Sequence, residues 1–145
     1  MGLAYESTKV MSLGSACFRQ WKADSHCRYL HGYELSCKVW LTRSTGLDER
    51  NWIYDFGGFK EIKKILRAYF DHKTCIAIDD PELETFKKLD NLNIIQLRVF
   101  PKGVGVEIFA EFCHNIINEN TPDDVIVKKV EVYEHSKNSA IYVKY

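Results

Sequence analysis

The chain is predicted to be an α+β protein, and three observations carry that prediction. Apolar and polar positions alternate near the front, two stretches further on have helical apolar spacing, and two extended segments surround a polar connection at the end. Glu34 to Leu41 sets Leu35, Cys37, Val39 and Leu41 on one face and mostly polar groups on the other, as a half-buried strand requires. The segment from Thr8 to about Phe18 is its expected partner. Asp55 precedes a turn with Gly57 and Gly58, after which Phe59, Ile62, Ile65, Leu66, Tyr69 and Phe70 recur at helical spacing, so a first helix ends near Asp71. Asp79-Asp80-Pro81 reads as the cap and first turn of a short helix through Leu89, and residues 94–100 as a short strand. A second amphipathic helix, from about Gly105 to Asn118, carries Ile108, Phe109, Phe112, Ile116 and Ile117 on its core side, and Thr121-Pro122-Asp123-Asp124 closes it. Val125 to Tyr133 and Ala140 to Lys144 then flank Glu134 to Ser139, a connection of hairpin length.

At 145 residues the chain suits one domain, residues 1–145, and is long enough to bury a real core. Twenty Lys and Arg balance twenty Asp and Glu, which leaves no long-range field to attract nucleic acid or an anionic membrane. A small-molecule or protein partner is the expectation. No stretch approaches the ~20 apolar residues of a membrane span, and the segment from Met1 to Val10 has no signal-peptide core. Glu6 stands where a myristoylation signal after Met1-Gly2 needs Ser or Thr. A cytoplasmic location follows as an expectation.

Five cysteines, without a CxxC pair, argue against a disulfide framework. Cys37 and Cys113 fall among apolar positions and read as packing residues. Cys27 differs: Ser25, His26 and Arg28 around it are polar, a setting that can lower a thiol pKa from about 8.5. It lies in Cys27-Arg28-Tyr29-Leu30-His31-Gly32-Tyr33, and an adjacent acid and imidazole, Asp71-His72, follows later. A carboxylate beside an imidazole holds one tautomer and tunes its basicity, so the pair is a candidate proton-transfer unit. A helix-end acid with a dipole-favoured histidine is the plainer alternative.

These motifs, over nearly the whole chain, resemble the group of 6-pyruvoyltetrahydropterin and 6-carboxytetrahydropterin synthases. In that family a cysteine precedes a His-x-His strand start, similar to Cys27 ahead of His31-Gly32-Tyr33. An Asp-Phe pair and a Lys at a strand-to-helix turn match Asp55-Phe56-Gly57-Gly58-Phe59-Lys60, an Asp-His pair ends the first long helix as Asp71-His72 does, and a glutamate follows an alternating strand as Glu134 follows Val130 to Tyr133. A Pro-Thr-x-Glu-like helix start is loosely matched by Pro101 and Gly105-Val106-Glu107.

The resemblance implies the tunnelling fold, an antiparallel sheet with two helices on one face whose sheets join across subunits into a barrel, with active sites between subunits of a trimer or hexamer. It implies a lyase acting on 7,8-dihydroneopterin triphosphate, of the 6-carboxytetrahydropterin synthase type that feeds 7-deazaguanine (preQ0, queuosine) biosynthesis. An altered or non-catalytic pterin- or purine-binding relative is the alternative. Cys27, Asp71 and His72 would move protons, Glu134 would anchor the pterin ring through two hydrogen bonds, and Glu107 would assist binding. The family zinc uses three histidines, of which this chain keeps His31; Tyr33 takes the place of the second, and Trp21 stands where the third is expected. One imidazole, a phenol and an indole make a poor zinc site, with His26 a substitute ligand at best.

Overall fold

The computed structural model describes residues 4–144, so the Met1-Gly2 start lies outside the described residues. Six strands, three α-helices and two short 3-10 turns follow the order β1 (Ser7–Phe18), turn (His26–Arg28), β2 (His31–Arg43), turn (Phe56–Gly58), α1 (Phe59–Phe70), β3 (Lys73–Ala77), α2 (Leu83–Asn91), β4 (Leu97–Phe100), α3 (Val106–Glu119), β5 (Val125–His135) and β6 (Asn138–Val143). The strands form one sheet in the order β4-β3-β1-β2-β5-β6.

The predicted antiparallel framework is present: β1 pairs with β2, β2 with β5, and β5 with β6, all antiparallel. The sheet as a whole is mixed, because β3 joins β1 in parallel and β4 joins β3 in parallel. Its β3 is an addition to the elements read from the sequence. Thr74, Cys75, Ile76 and Ala77 are all buried, so this strand lacks the alternation that reveals a half-buried one.

Helix α1 packs against β1, and α3 against β5 and β6. Phe59, Ile62, Leu66 and Phe70 of α1 and Phe109, Cys113 and Ile117 of α3 share one core with Leu35, Cys37, Val39 and Leu41 of β2. Full burial of each large side chain contributes about 1.5–3 kcal/mol. On α3 the buried stripe runs through Val106, Phe109, Ala110, Cys113, His114 and Ile117, whereas Ile108, Phe112 and Ile116 are half-buried. His114 is held in that stripe by Nε2–H donating to the Val127 carbonyl at 3.0 Å, which gives it a structural task.

The junction of α1 with β1 fixes the sheet end. Asp71 caps α1, its Oδ1 accepts the Ser15 N–H at 3.1 Å, and the His72 N–H donates to the Ser15 carbonyl at 2.6 Å. Gly14 sits opposite at a register shift of β1 with φ of 88°, and any Cβ there would collide with the Asp71 carboxylate. The bulge brings a carboxylate against a bare backbone, as only glycine permits.

Candidate active site

Strand alternation decides which side chains meet at the end of β1 and β2. His31 and Tyr33 share the inward parity of Leu35, Cys37, Val39 and Leu41. In the β1–β2 register Phe18 faces His31 and Ala16 faces Tyr33. Three rings therefore gather: Phe18 to His31 at 5.1 Å, His31 to Tyr33 at 5.3 Å and edge-on, and Phe18 to Tyr33 at 6.1 Å. Phe109 of α3 backs the group, its ring 5.3 Å from Phe18.

The ring beside His31 and Tyr33 is thus Phe18, the last residue of β1, rather than Trp21. Trp21 lies past the strand, with its indole N–H donating to Asp79 at 3.4 Å and Lys22 over its ring at 5.0 Å. His26 stands against Tyr29 in the 3-10 turn, ring centroids 6.2 Å apart. His31 donates Nδ1–H to the Tyr29 carbonyl at 2.7 Å, which leaves Nε2 as its free ring nitrogen. Among the described residues no group of three or more His, Cys, Asp or Glu is arranged to hold a metal ion. One imidazole beside a phenyl ring and a phenol does not supply the donors of a three-histidine zinc site.

Cys27 is exposed at the centre of the His26–Arg28 turn, where its N–H donates to Ser25 Oγ at 3.3 Å. Gln20 ties that turn to the rest of the site. Its N–H donates to the Cys27 carbonyl at 2.8 Å, while its side-chain amide lies where a Cβ on Gly105 would fall, at the start of α3. Glu107 lies in the same first turn, exposed, with a carboxylate oxygen 3.5 Å from that position. Neither Gln20 nor Phe18 stands out in the sequence. The signal that would have found Phe18 is its place as the last inward residue of β1.

Glu134, half-buried near the end of β5, sits at a register shift between Tyr133 and His135. Its neighbour His135 has its ring 6.1 Å from Tyr33. The Tyr33 phenol is held above its ordinary pKa by loss of solvent first, and then by the negative charges of Glu134 and Cys27. The thiol, the phenol and the carboxylate share one end of the sheet.

Asp71 and His72 form a close pair, with His72 Nδ1 and Asp71 Oδ1 3.1 Å apart and the imidazole 81% exposed. His72 has φ of 61°, in the left-handed region. Partial burial acts to raise the Asp71 pKa, but the Ser15 N–H, the His72 imidazole and the Arg67 guanidinium at 2.9 Å together hold it below the usual carboxylate range. A cavity of about 440 Å³ lies beside His72, bounded by Ser15, Cys17, Gly32, Tyr33, Glu34 and Thr74. The Cys17 thiol and Thr74 hydroxyl are 3.2 Å apart in its wall. Cys27 is not among the residues of that wall, whereas Tyr33 is.

The end of β1 is itself anchored. Arg19 makes two bonds to Asp80, Nε to Oδ2 at 2.8 Å and a terminal nitrogen to Oδ1 at 2.6 Å, and the Asp80 side chain is fully buried. This bidentate pair fixes the strand just after Phe18.

Solved structures with the same fold include an uncharacterized protein of Wolinella succinogenes, with a TM-score of 0.86 at 21% identity, covering 99% of this chain and 100% of that one. The 6-pyruvoyl tetrahydropterin synthase of Caenorhabditis elegans has a TM-score of 0.67 at 20% identity, covering 99% and 97%. That of Plasmodium falciparum has 0.68 at 14%, covering 97% and 98%. No curated protein matches in sequence. The fold is the tunnelling fold of these synthases. The family model described as 6-pyruvoyl tetrahydropterin synthase matches residues 11–144, and the chain belongs to that family.

Proposed function

We propose that the protein is a pterin-pathway lyase of the 6-carboxytetrahydropterin synthase type, acting as one domain on 7,8-dihydroneopterin triphosphate toward 7-deazaguanine synthesis. Membership of a family of lyases supports the reaction class. The observation that carries the finer reading is geometric: the start of β2, with His31 and Tyr33 just after the Cys27 turn, meets the end of β5, where His135, next to Glu134, has its ring 6.1 Å from Tyr33. Glu134 then accepts the amino group and ring N–H of the pterin, and the 6-substituent extends toward Cys27. The Cys27 thiolate removes a proton from that substituent. His72, oriented by Asp71, returns one.

The family resemblance implies active sites between subunits, so a second copy supplies the Asp71 and His72 that approach the first copy's Cys27 as the barrel closes. A homo-oligomer, trimer or hexamer, follows from the proposal. The zinc that the family resemblance implies has no part in these steps.

A second reading has its own support in the ring cluster. With Phe18 and Tyr33 beside His31, the protein binds a pterin or purine without turning it over. One assay separates the two. Purified, metal-analysed protein is incubated with dihydroneopterin triphosphate. Release of triphosphate and acetaldehyde that disappears in Cys27→Ala supports the lyase; tight binding of the pterin with no release supports the binding protein.

A further inference from the structure

One polar atom of the ring cluster has no task within the chain. The Tyr33 hydroxyl has no hydrogen-bond partner among the described residues, and it is not sealed from solvent although its ring is half-buried. The contrast with Tyr133 is direct, since that hydroxyl is consumed by Glu131 at 2.7 Å. The Tyr33 ring is also fixed in direction. His31 meets it edge-on at 5.3 Å, with Phe18 and His135 each 6.1 Å away, and a tyrosine has only two side-chain torsions to lose. Glu134 precedes His135 in the chain, so it stands at the same end of β5 that meets this ring.

We propose that the Tyr33 hydroxyl recognises the side-chain oxygens of the bound pterin, and that this end of the sheet works with a phenol donor in place of a metal. This deepens the pterin assignment made above and rests on it. A phenyl ring at Phe18 offers no lone pair, and the Phe18 and Tyr33 rings occupy the space around His31 that further metal ligands would need. A phenol is a neutral O–H donor at pH 7. It bonds an oxygen on the 6-substituent but cannot polarise it as a metal ion would. The ligand class selected is therefore a pterin whose 6-substituent carries hydroxyl groups, anchored by its ring at Glu134 and by its side chain at Tyr33.

The test separates the two contacts. Neopterin, with a trihydroxypropyl side chain, and 6-methylpterin, with none, are titrated against the whole chelator-treated protein by fluorescence. The wild type is expected to prefer neopterin by about 10-fold, the worth of one well-placed hydrogen bond. In Tyr33→Phe the preference disappears while 6-methylpterin affinity is unchanged, which also shows that the variant is folded. Equal binding of both ligands by the wild type, or a preference that survives in Tyr33→Phe, overturns the role of Tyr33 and leaves the pterin assignment standing. Failure of the wild type to bind either ligand defeats the pterin assignment and the inference with it. Metal analysis of untreated protein is expected to find less than one zinc per chain. Full occupancy that is lost in His31→Ala overturns the metal-free site.

Discussion

Two carboxylates in this protein stabilise it through partners that require them ionised. Asp71 is held below its ordinary pKa as described. Asp80, whose burial acts to raise its value, is held down by Arg19 and by the Glu82 N–H. Each ionises at lower pH in the folded chain than in the unfolded one, where the value is about 3.9. The stability they contribute is complete above that value and is lost as pH falls through the folded value. Urea midpoints are expected to fall between about pH 5 and about pH 3, and to fall less steeply in Asp71→Asn. An identical acid slope in that variant would show that the clamp at Ser15 adds nothing. The buried pair is the more costly to break: Asp80→Ala leaves Arg19 unpartnered and should cost about 3 kcal/mol in a denaturant titration. Cys75 and Cys113 illustrate the opposite environment. Burial pushes the Cys75 thiol up to about 12 and Cys113 well above its usual value, so neither is a nucleophile. Cys27 differs from them by exposure, a contrast its polar neighbours already signalled in the sequence.

At the level of elements, the join between α1 and β1 is the most constrained feature. It depends on three features: the bulge at Gly14, the Asp71 carboxylate that accepts the Ser15 N–H, and the left-handed His72. Gly14→Ala forces a side chain into a positive φ and against Asp71, and is expected to destabilise by about 2 kcal/mol. Its His72 side chain should also change exposure, measurable as an altered imidazole signal in NMR. A wild-type midpoint together with an unmoved imidazole would show that the bulge is not needed to seat the pair. The helix spacing and the alternation of β2 and β5 were legible because each element buries one face, which leaves a period in the sequence. β3 was not, since a short strand buried on both faces leaves none. Trp21 is the residue the sequence offers at the end of the first strand region; the register of β1 against β2 sets Phe18 across from His31, and register arises from pairing rather than from spacing.

For the molecule as a whole, one sheet face is covered by α1 and α3, whereas Val10 and Ile141 on β1 and β6 stay exposed at 61% and 48%. The site proposed between subunits is expected to be completed by assembly. Sedimentation analysis should find a trimer or hexamer, with Asp71 and His72 variants complementing Cys27→Ala in mixed oligomers. A monomer that retains full activity would refute this. Among the described residues no helix is long and apolar enough to cross a membrane. The sequence by itself determined the α+β class, the antiparallel framework, the family and the candidates Cys27, Asp71, His72 and Glu134, because local periodicity and short motifs are written along the chain. Tertiary structure alone decided that Phe18 closes the ring cluster and that Gln20 links Cys27 to α3, because these depend on which strands pair and in what register.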